Sequence, residues 1–304
     1  MNSINPTLYR RILDKKIRID NYPPLHPDLS QQIQQQRRTE YIHSSNAIEG
    51  NTLTLGETAA AINGETINGK TIKEHFEAIN HPATIEYVEE QAKTGQPITE
   101  ETIKQIHTRL MDNLLHEPGA YRTGAARIAG AHIMPPKSTY IHEKIVELLT
   151  WLNTNPYEYP PIELSARFMH RFLTIHPFQD GNGRTARLLM NLILMQHGYP
   201  VLTNISFRDR KKYLTALQEA DHGDPEPLIN LVAMSVEDSL TKHIIAVEEI
   251  ETLSLKEAAE QSPYSADYLG LRARDGNLGA YKDGRNWKVT REDLDQYIIQ
   301  HNLG

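Results

Sequence analysis

The chain contains no cysteine in its 304 residues. Disulfides and thiolate metal sites are therefore excluded, and the redox character of its compartment leaves no trace. No hydrophobic run approaches the roughly 20 residues that a bilayer-spanning helix needs. Met1 to Asp20 mixes charge throughout and lacks the apolar centre of a signal peptide. Positive charge is not in surplus: 32 Lys+Arg face 39 Asp+Glu, a formal net charge of −7. Bulk electrostatics thus disfavour nucleic acid and anionic membranes as partners. His-Glu-x-x-His and similar metal-ligand spacings are missing too. What is present is ordinary, 39% hydrophobic and 23% charged residues. That composition predicts a globular cytoplasmic protein of two or three structural units.

Most of the chain carries helical periodicity. Helices are expected over 6–18, 28–48, 55–62, 73–92, from a cap at Thr99 or Thr102 through Leu114, and over 144–152, 161–175, 208–220 and 225–245. Asn63 to Lys70 reads as a glycine-punctuated turn or small hairpin. Residues 126–136 read as an irregular hairpin, split by Gly130 and stopped by Pro135-Pro136.

The chemistry concentrates in His176-Pro-Phe-Gln-Asp-Gly-Asn-Gly-Arg-Thr-Ala-Arg187. The run follows an amphipathic helix and precedes Leu188 to Met195, which is apolar nearly all round and reads as buried helix. A glycine-rich turn at a helix N-terminus presents free backbone N–H groups and the positive end of the helix dipole to an anion. Glycines admit a phosphate close to the backbone, and Arg184 and Arg187 share a helix face. His176 is a base of suitable pKa beside that cradle, since unperturbed imidazole titrates near 6.5. Asp180 is a hard oxygen donor of the kind Mg²⁺ takes together with phosphates and waters.

Nine specified positions of this twelve-residue run match the active-site string of the Fic family, His-Pro-Phe-x-Asp/Glu-Gly-Asn-Gly-Arg-x-x-Arg, and the chain resembles that family there. Upstream, Ser45-Asn-Ala-Ile-Glu49-Gly50-Asn51 is similar to the family's inhibitory motif. Ser45 and Glu49, four apart, share a helix face. The resemblance implies a mainly α protein: a Fic-type helical core with a small β-hairpin flap. It pairs Glu49 with Arg187 and groups Ser45, Glu49 and Asn51 as inhibitory. It assigns ATP contacts to Glu49, Gly181, Asn182, Gly183, Arg184, Thr185, Arg187, Tyr213 and Asp221, with Arg184 near the β-phosphate and Arg187 near the γ-phosphate. Leu214 stands where a second tyrosine is common in the family, and Asp221 where asparagine is common. Ile128, Ala129, Gly130, Ala131 and His132 would form the flap that docks the target by strand addition.

From about Thr252 the pattern changes and resembles an excisionase-type winged helix-turn-helix. Residues 251–304 carry seven basic side chains against nine acidic ones. DNA affinity rests largely on phosphate neutralisation, so a protein-docking role is favoured over DNA. The expected division is a helical region over 1–95 containing the inhibitory helix, a catalytic core over 96–250 and the winged segment over 251–304.

The function expected is protein adenylyl transfer. His176 takes a proton from a Ser, Thr or Tyr hydroxyl of a target protein or of the chain itself, and AMP passes from ATP with Mg²⁺ at Asp180; a homodimer is a further expected partner. Glu49 inhibits this. Alternatives are removal of AMP at the same site, a nucleotide-sensing DNA-binding regulator, and a metal-dependent hydrolase built on His170, His176 and Asp180.

Overall fold

In the computed structural model the described residues are 3–127, 133–199 and 202–302. Their contacts define two compact units. One contains Gln34–Val232, the other Ile4–Ile33 and the chain from Ala233 onward.

The helices are α1 (Pro6–Asp20), α2 (Pro27–Ile48), α3 (Leu55–Ile62), α4 (Ile72–Ile79), α5 (His81–Thr94), α6 (Glu100–Leu110), α7 (Ile141–Thr154), α8 (Pro161–Ile175), α9 (Asn182–Gln196), α10 (Arg210–Asp221), α11 (Glu226–Glu248), α12 (Leu255–Glu260), α13 (Ala266–Arg274) and α14 (Arg291–Asn302). Capping boxes open three early ones: Thr54 with Glu57, Thr71 with Glu74 and Thr99 with Thr102.

Within the first unit α9 is the axis. It packs on α5, α6 and α8, and its residues from Asn182 to Leu194, Gly183 aside, are buried. An apolar face all round requires that burial. Phe168, Phe172 and Phe178 complete the core beside it and are fully buried. One expectation fails here: residues 73–92 form two helices, α4 and α5, meeting at Asn80. Pro82 offers no N–H and would crowd the carbonyl of Ala78, so the chain restarts with proline in the first turn of α5. The helix over 99–114 likewise stops at Leu110, where Met111 to Leu114 turn. No strand forms over Asn63 to Lys70. The flap residues Ile128 to His132 lie outside the described residues.

The second unit holds a three-stranded antiparallel sheet in the order β1 (Thr252–Ser254), β3 (Asn286–Thr290), β2 (Ala280–Asp283). Asp283 opposes Asn286 across a Gly284-Arg285 turn, with Gly284 at φ 61°. Leu253, Leu269, Ala273, Leu278, Val289, Leu294 and Tyr297 form its apolar cluster. A buried ion network also holds it. Arg11 donates to Glu237 (Nε to Oε1, 2.7 Å) and to the carbonyls of Gly276 (2.7 Å) and Asn277 (3.1 Å). Lys15 bridges Glu237 at 3.1 Å and Asp293 at 3.0 Å. Burial opposes ionisation of Glu237, but Lys15 and Arg11 outweigh it and hold its carboxyl below the usual range.

Removing one partner of a buried pair strands the other's charge. Arg11→Ala should therefore lower unfolding free energy by roughly 3–5 kcal/mol in denaturant titration; a loss under about 1 kcal/mol would class the network with surface pairs.

Candidate active site

Helix α8 ends at His176, which stands before Pro177 and adopts the left-handed region, φ 49° and ψ 58°. For a residue with a Cβ this conformation costs roughly 1–2 kcal/mol, so neighbouring contacts must hold it. The His176 N–H bonds the Phe172 carbonyl at 3.1 Å and closes the helix. Its Nδ1 is buried without a well-formed hydrogen bond. Burial lowers its pKa below the ordinary value; the Leu173 carbonyl opposes this, Arg122 adds to it, and Glu49 and Asp180 oppose it.

The loop then turns around Phe178. The ring stacks on His107, centroids 3.6 Å apart and 5° from parallel. Asn182 staples the same residue through both main-chain groups, accepting from Phe178 N (2.9 Å) and donating to Phe178 O (2.8 Å). His107 Nδ1 accepts from the Gly119 N–H at 2.8 Å, so Nε2 carries the proton and donates to the Asp180 carbonyl at 3.0 Å. Gly181 has φ 77°, and a Cβ there would meet Met111 Sδ at 2.6 Å. These contacts aim the first turn of α9 outward. Among the described residues, the N–H groups of Asn182, Gly183 and Arg184 have no acceptor, the arrangement that binds anions at helix N-termini.

Arg184 and Arg187 are 2% and 1% exposed. Arg184 reaches Glu77 at 3.1 Å and Asp180 at 3.7 Å. Arg187 Nη2 pairs with Glu49 Oε1 at 2.8 Å and donates to the Ser45 carbonyl at 2.8 Å, and Nε donates to Ser45 Oγ at 3.1 Å. Burial works against the Arg187 cation, but Glu49 and the adjacent phenols of Tyr213 and Tyr41 outweigh it and raise its pKa. The Glu49 carboxylate stands directly over the cradle: a Cβ on Gly183 would lie 2.2 Å from Glu49 Oε1. Arg210 Nε fastens the end of α2 through the Ile48 carbonyl at 2.7 Å.

Asp180 is half exposed. Its Oδ1 accepts from the Gly181 N–H at 2.6 Å, and among the described residues Oδ2 faces only Lys73 at 3.5 Å. Burial opposes its ionisation, but Arg184, the Gly181 amide and Lys73 prevail and depress its pKa.

The structure thus brings Ser45, Glu49, His176, Asp180, Gly181, Asn182, Gly183, Arg184 and Arg187 to one place. Asn51 donates to Glu77 Oε2 at 2.9 Å, one residue removed from Arg184. The Thr185 hydroxyl is buried. Tyr213 is buried beside Arg187, with its hydroxyl 3.8 Å from Met169 Sδ. Asp221 is taken by His170 Nε2 at 2.8 Å, and among the described residues no three His, Asp or Glu groups converge as metal ligands. The set His170, His176 and Asp180 therefore does not assemble. Sequence reasoning missed Tyr41, Glu77, His81, His107 and Arg122. Only His107 left a trace, as a polar residue on the apolar face of α6.

A buried helix whose free amides, two arginines and flanking histidine form an anion cradle, closed by a carboxylate at the end of α2, defines an anion-binding site of the Fic type. The model of the Fic/DOC family matches residues 97–194, and the chain belongs to that family. The "Protein adenylyltransferase Fic" of Nematostella vectensis is 36% identical over 208 residues, 67% of this chain and 48% of that protein. The "Protein adenylyltransferase fic-1" of Caenorhabditis elegans is 35% identical over 213 residues, 68% and 41% respectively. The chain spans about half or less of these curated relatives. Among solved structures, Fic-1 from C. elegans superposes with a TM-score of 0.71 at 31% identity, covering 80% of this chain and 72% of that one. A Fic-domain-containing signaling protein from Bacteroides thetaiotaomicron gives 0.70 at 27% identity, covering 80% and 97%.

Two buried histidines make stability depend on pH. Burial pushes His81 down to about 3, with Arg184 and Arg187 adding to it against the Glu77 carbonyl, and burial likewise takes His107 to about 4. Both titrate near 6.5 once unfolded. Between about pH 6.5 and 4 the unfolded chain binds the extra protons, so stability falls as pH falls. The urea midpoint should drop between pH 7 and pH 5, before most carboxylates titrate; an unchanged midpoint would mean that these rings are hydrated.

Proposed function

We propose that the chain is a protein adenylyltransferase held at rest by Glu49. The observation that carries this is the shared position of three things: unpaired N–H groups at the start of α9, the buried pair Arg184 and Arg187, and a carboxylate over Gly183. The cradle is built for anionic oxygens, and Glu49 supplies one through Oε1 in the resting state. Its relatives carry the name of that activity.

In the reaction, the N–H groups of Asn182 to Arg184 and the two guanidinium groups receive the triphosphate of ATP, where developing charge is stabilised. The target's hydroxyl oxygen forms a bond to the α-phosphorus, the bond from that phosphorus to the bridging oxygen breaks, and pyrophosphate leaves. His176 takes the hydroxyl proton. With Nδ1 buried, Nε2 is assigned as the basic atom. Asp180 fits a Mg²⁺ ion, since its carboxylate is half exposed and, among the described residues, only Lys73 stands opposite Oδ2. When bound, that ion neutralises phosphate charge. The second unit fits a winged helix-turn-helix, with β2 and β3 as the wing. Arg272 is paired with Asp275 at 3.0 Å and Lys288 with Asp283 at 2.8 Å, which favours protein docking over DNA.

The test is transfer of label from ATP marked at the α-phosphate. Glu49→Gly should raise the initial rate of automodification at least about tenfold, since a charge-assisted contact contributes roughly 1.5–3 kcal/mol and about 1.4 kcal/mol is a factor of ten. Adding Arg187→Ala should abolish that gain. Equal rates for Glu49→Gly and the parent would reduce Glu49 to a surface charge. His176→Ala should abolish transfer while ATP still binds; retained transfer would refute the base assignment.

The pH profile supplies another check. Because burial and Arg122 lower the pKa of His176, the acid limb of kcat/KM should lie below about pH 6.5. Glu49 opposes that lowering, so Glu49→Gly should move the limb to lower pH. A shift to higher pH would contradict the electrostatics of this site.

A further inference from the structure

Arg122 lies more than fifty residues before the active-site loop, yet its guanidinium is spent on that loop. Nε donates to the His176 carbonyl at 2.8 Å, and Nη2 to the Ile175 carbonyl at 3.4 Å. Nη1 donates to the Gly124 carbonyl at 2.8 Å, and Nη2 to the Pro136 carbonyl at 2.7 Å. The Arg122 N–H also bonds the Pro177 carbonyl at 2.9 Å. The residue is 8% exposed.

All four side-chain acceptors are peptide carbonyls; among the described residues no carboxylate lies within ion-pair distance of Arg122. A buried cation without a counter-charge is unusual and calls for a local reason. The end of α8 provides one. The last carbonyls of a helix lack intrahelical donors and form the negative end of its dipole, so a cation there is favourable. Arginine suits the task because its five donors lie in one rigid plane. His176 needs such a hold, standing at φ 49° in a conformation with no preference of its own. The other two acceptors, Gly124 and Pro136, are the arms of the segment joining this part of the chain to α7.

We propose that Arg122 is a positioning residue for adenylyl transfer: one guanidinium fixes the main chain of the base His176 and ties it to Gly124 and Pro136. The Arg122 donors all go to main-chain carbonyls, so it acts through His176 rather than on the reacting atoms. The inference rests on the adenylyltransferase reading.

The test uses the full chain carrying Glu49→Gly, compared with Arg122→Ala and Arg122→Lys added to it. Label transfer from ATP gives kcat and KM, and calorimetric titration gives the Kd for ATP. A displacement near 1 Å costs on the order of a hundredfold in rate. Arg122→Ala should lose about that much in kcat, while the Kd for ATP stays within about twofold. Arg122→Lys keeps the charge but cannot reach four carbonyls from one nitrogen, so it should lose at least about tenfold. If the alanine variant does not fold, the lysine variant decides the matter by the same two measurements. Parental kcat in Arg122→Lys would overturn the role, because charge alone would then suffice. So would a Kd that weakens in step with kcat, which would mark a collapse of the cradle. No transfer by the Glu49→Gly parent would overturn the reading of the reaction itself, and this role with it; an active parent beside equally active Arg122 variants would overturn this role alone.

Discussion

Two arginine cations buried side by side on one helix are the constraint to which the first unit answers. Taking such charges out of water costs several kcal/mol each unless anions meet them. Arg184 and Arg187 must be buried because α9 is the core helix and both project from its first two turns. The anions then come from outside α9 or from its approach: Glu77 on α4 and Asp180 for Arg184, Glu49 and the Ser45 carbonyl for Arg187. Helices α2 and α4 are thus tied to α9 by electrostatic need as much as by apolar packing. Asn51 joins the two sets, since its amide donates to Glu77. The same cations exclude further positive charge nearby, and His81, close to both, is kept neutral.

The histidine beside the cradle faces the opposite problem. A base must stay neutral while surrounded by groups that would protonate it. Glu49 and Asp180 both favour imidazolium at His176, whereas burial and the Arg122 cation disfavour it, and the balance lies below the ordinary value. His107 is settled by hydrogen bonding. Receiving the Gly119 N–H on one nitrogen and giving its proton to the Asp180 carbonyl from the other, it has no site for a second proton. It therefore orients the loop without adding charge to it.

What could be read from the amino-acid sequence follows from what is local. Helices announced themselves through apolar spacing and caps, and the cradle through a dozen contiguous residues whose geometry is set by one turn and one helix start. Glu49 and Ser45 were legible as a pair because four residues make one helical turn. Tyr41, Glu77 and Arg122 were not, since each meets the site from a separate element and no short pattern marks a residue as the partner of something far along the chain. The break at Asn80 was missed because apolar periodicity continues across it and only Pro82 signals the restart. Helix α1 groups by contact with the C-terminal residues, through Arg11 and Lys15. Such pairing over more than 200 positions leaves no mark on composition.

On the adenylyltransferase reading, activation is an exchange of anions, and the geometry limits how much must move. The end of α2 is fastened independently of Glu49: Arg210 holds the Ile48 carbonyl, and Asn46 donates to the Glu77 carbonyl at 2.9 Å. Ser45 holds Arg187 through its hydroxyl and its carbonyl, neither of which belongs to the Glu49 side chain. Glu49 itself is about one-third exposed, so its carboxylate can swing to water by side-chain rotation while the helix stays in place. A phosphate arriving over Gly183 would then meet an arginine already oriented by Ser45 and would replace one anion with another. The desolvation of Arg187 is common to both states and cancels. What decides between rest and activity is the difference between a single tethered carboxylate and a freely diffusing triphosphate, a small difference between two large interactions that modest changes at the end of α2 can tip.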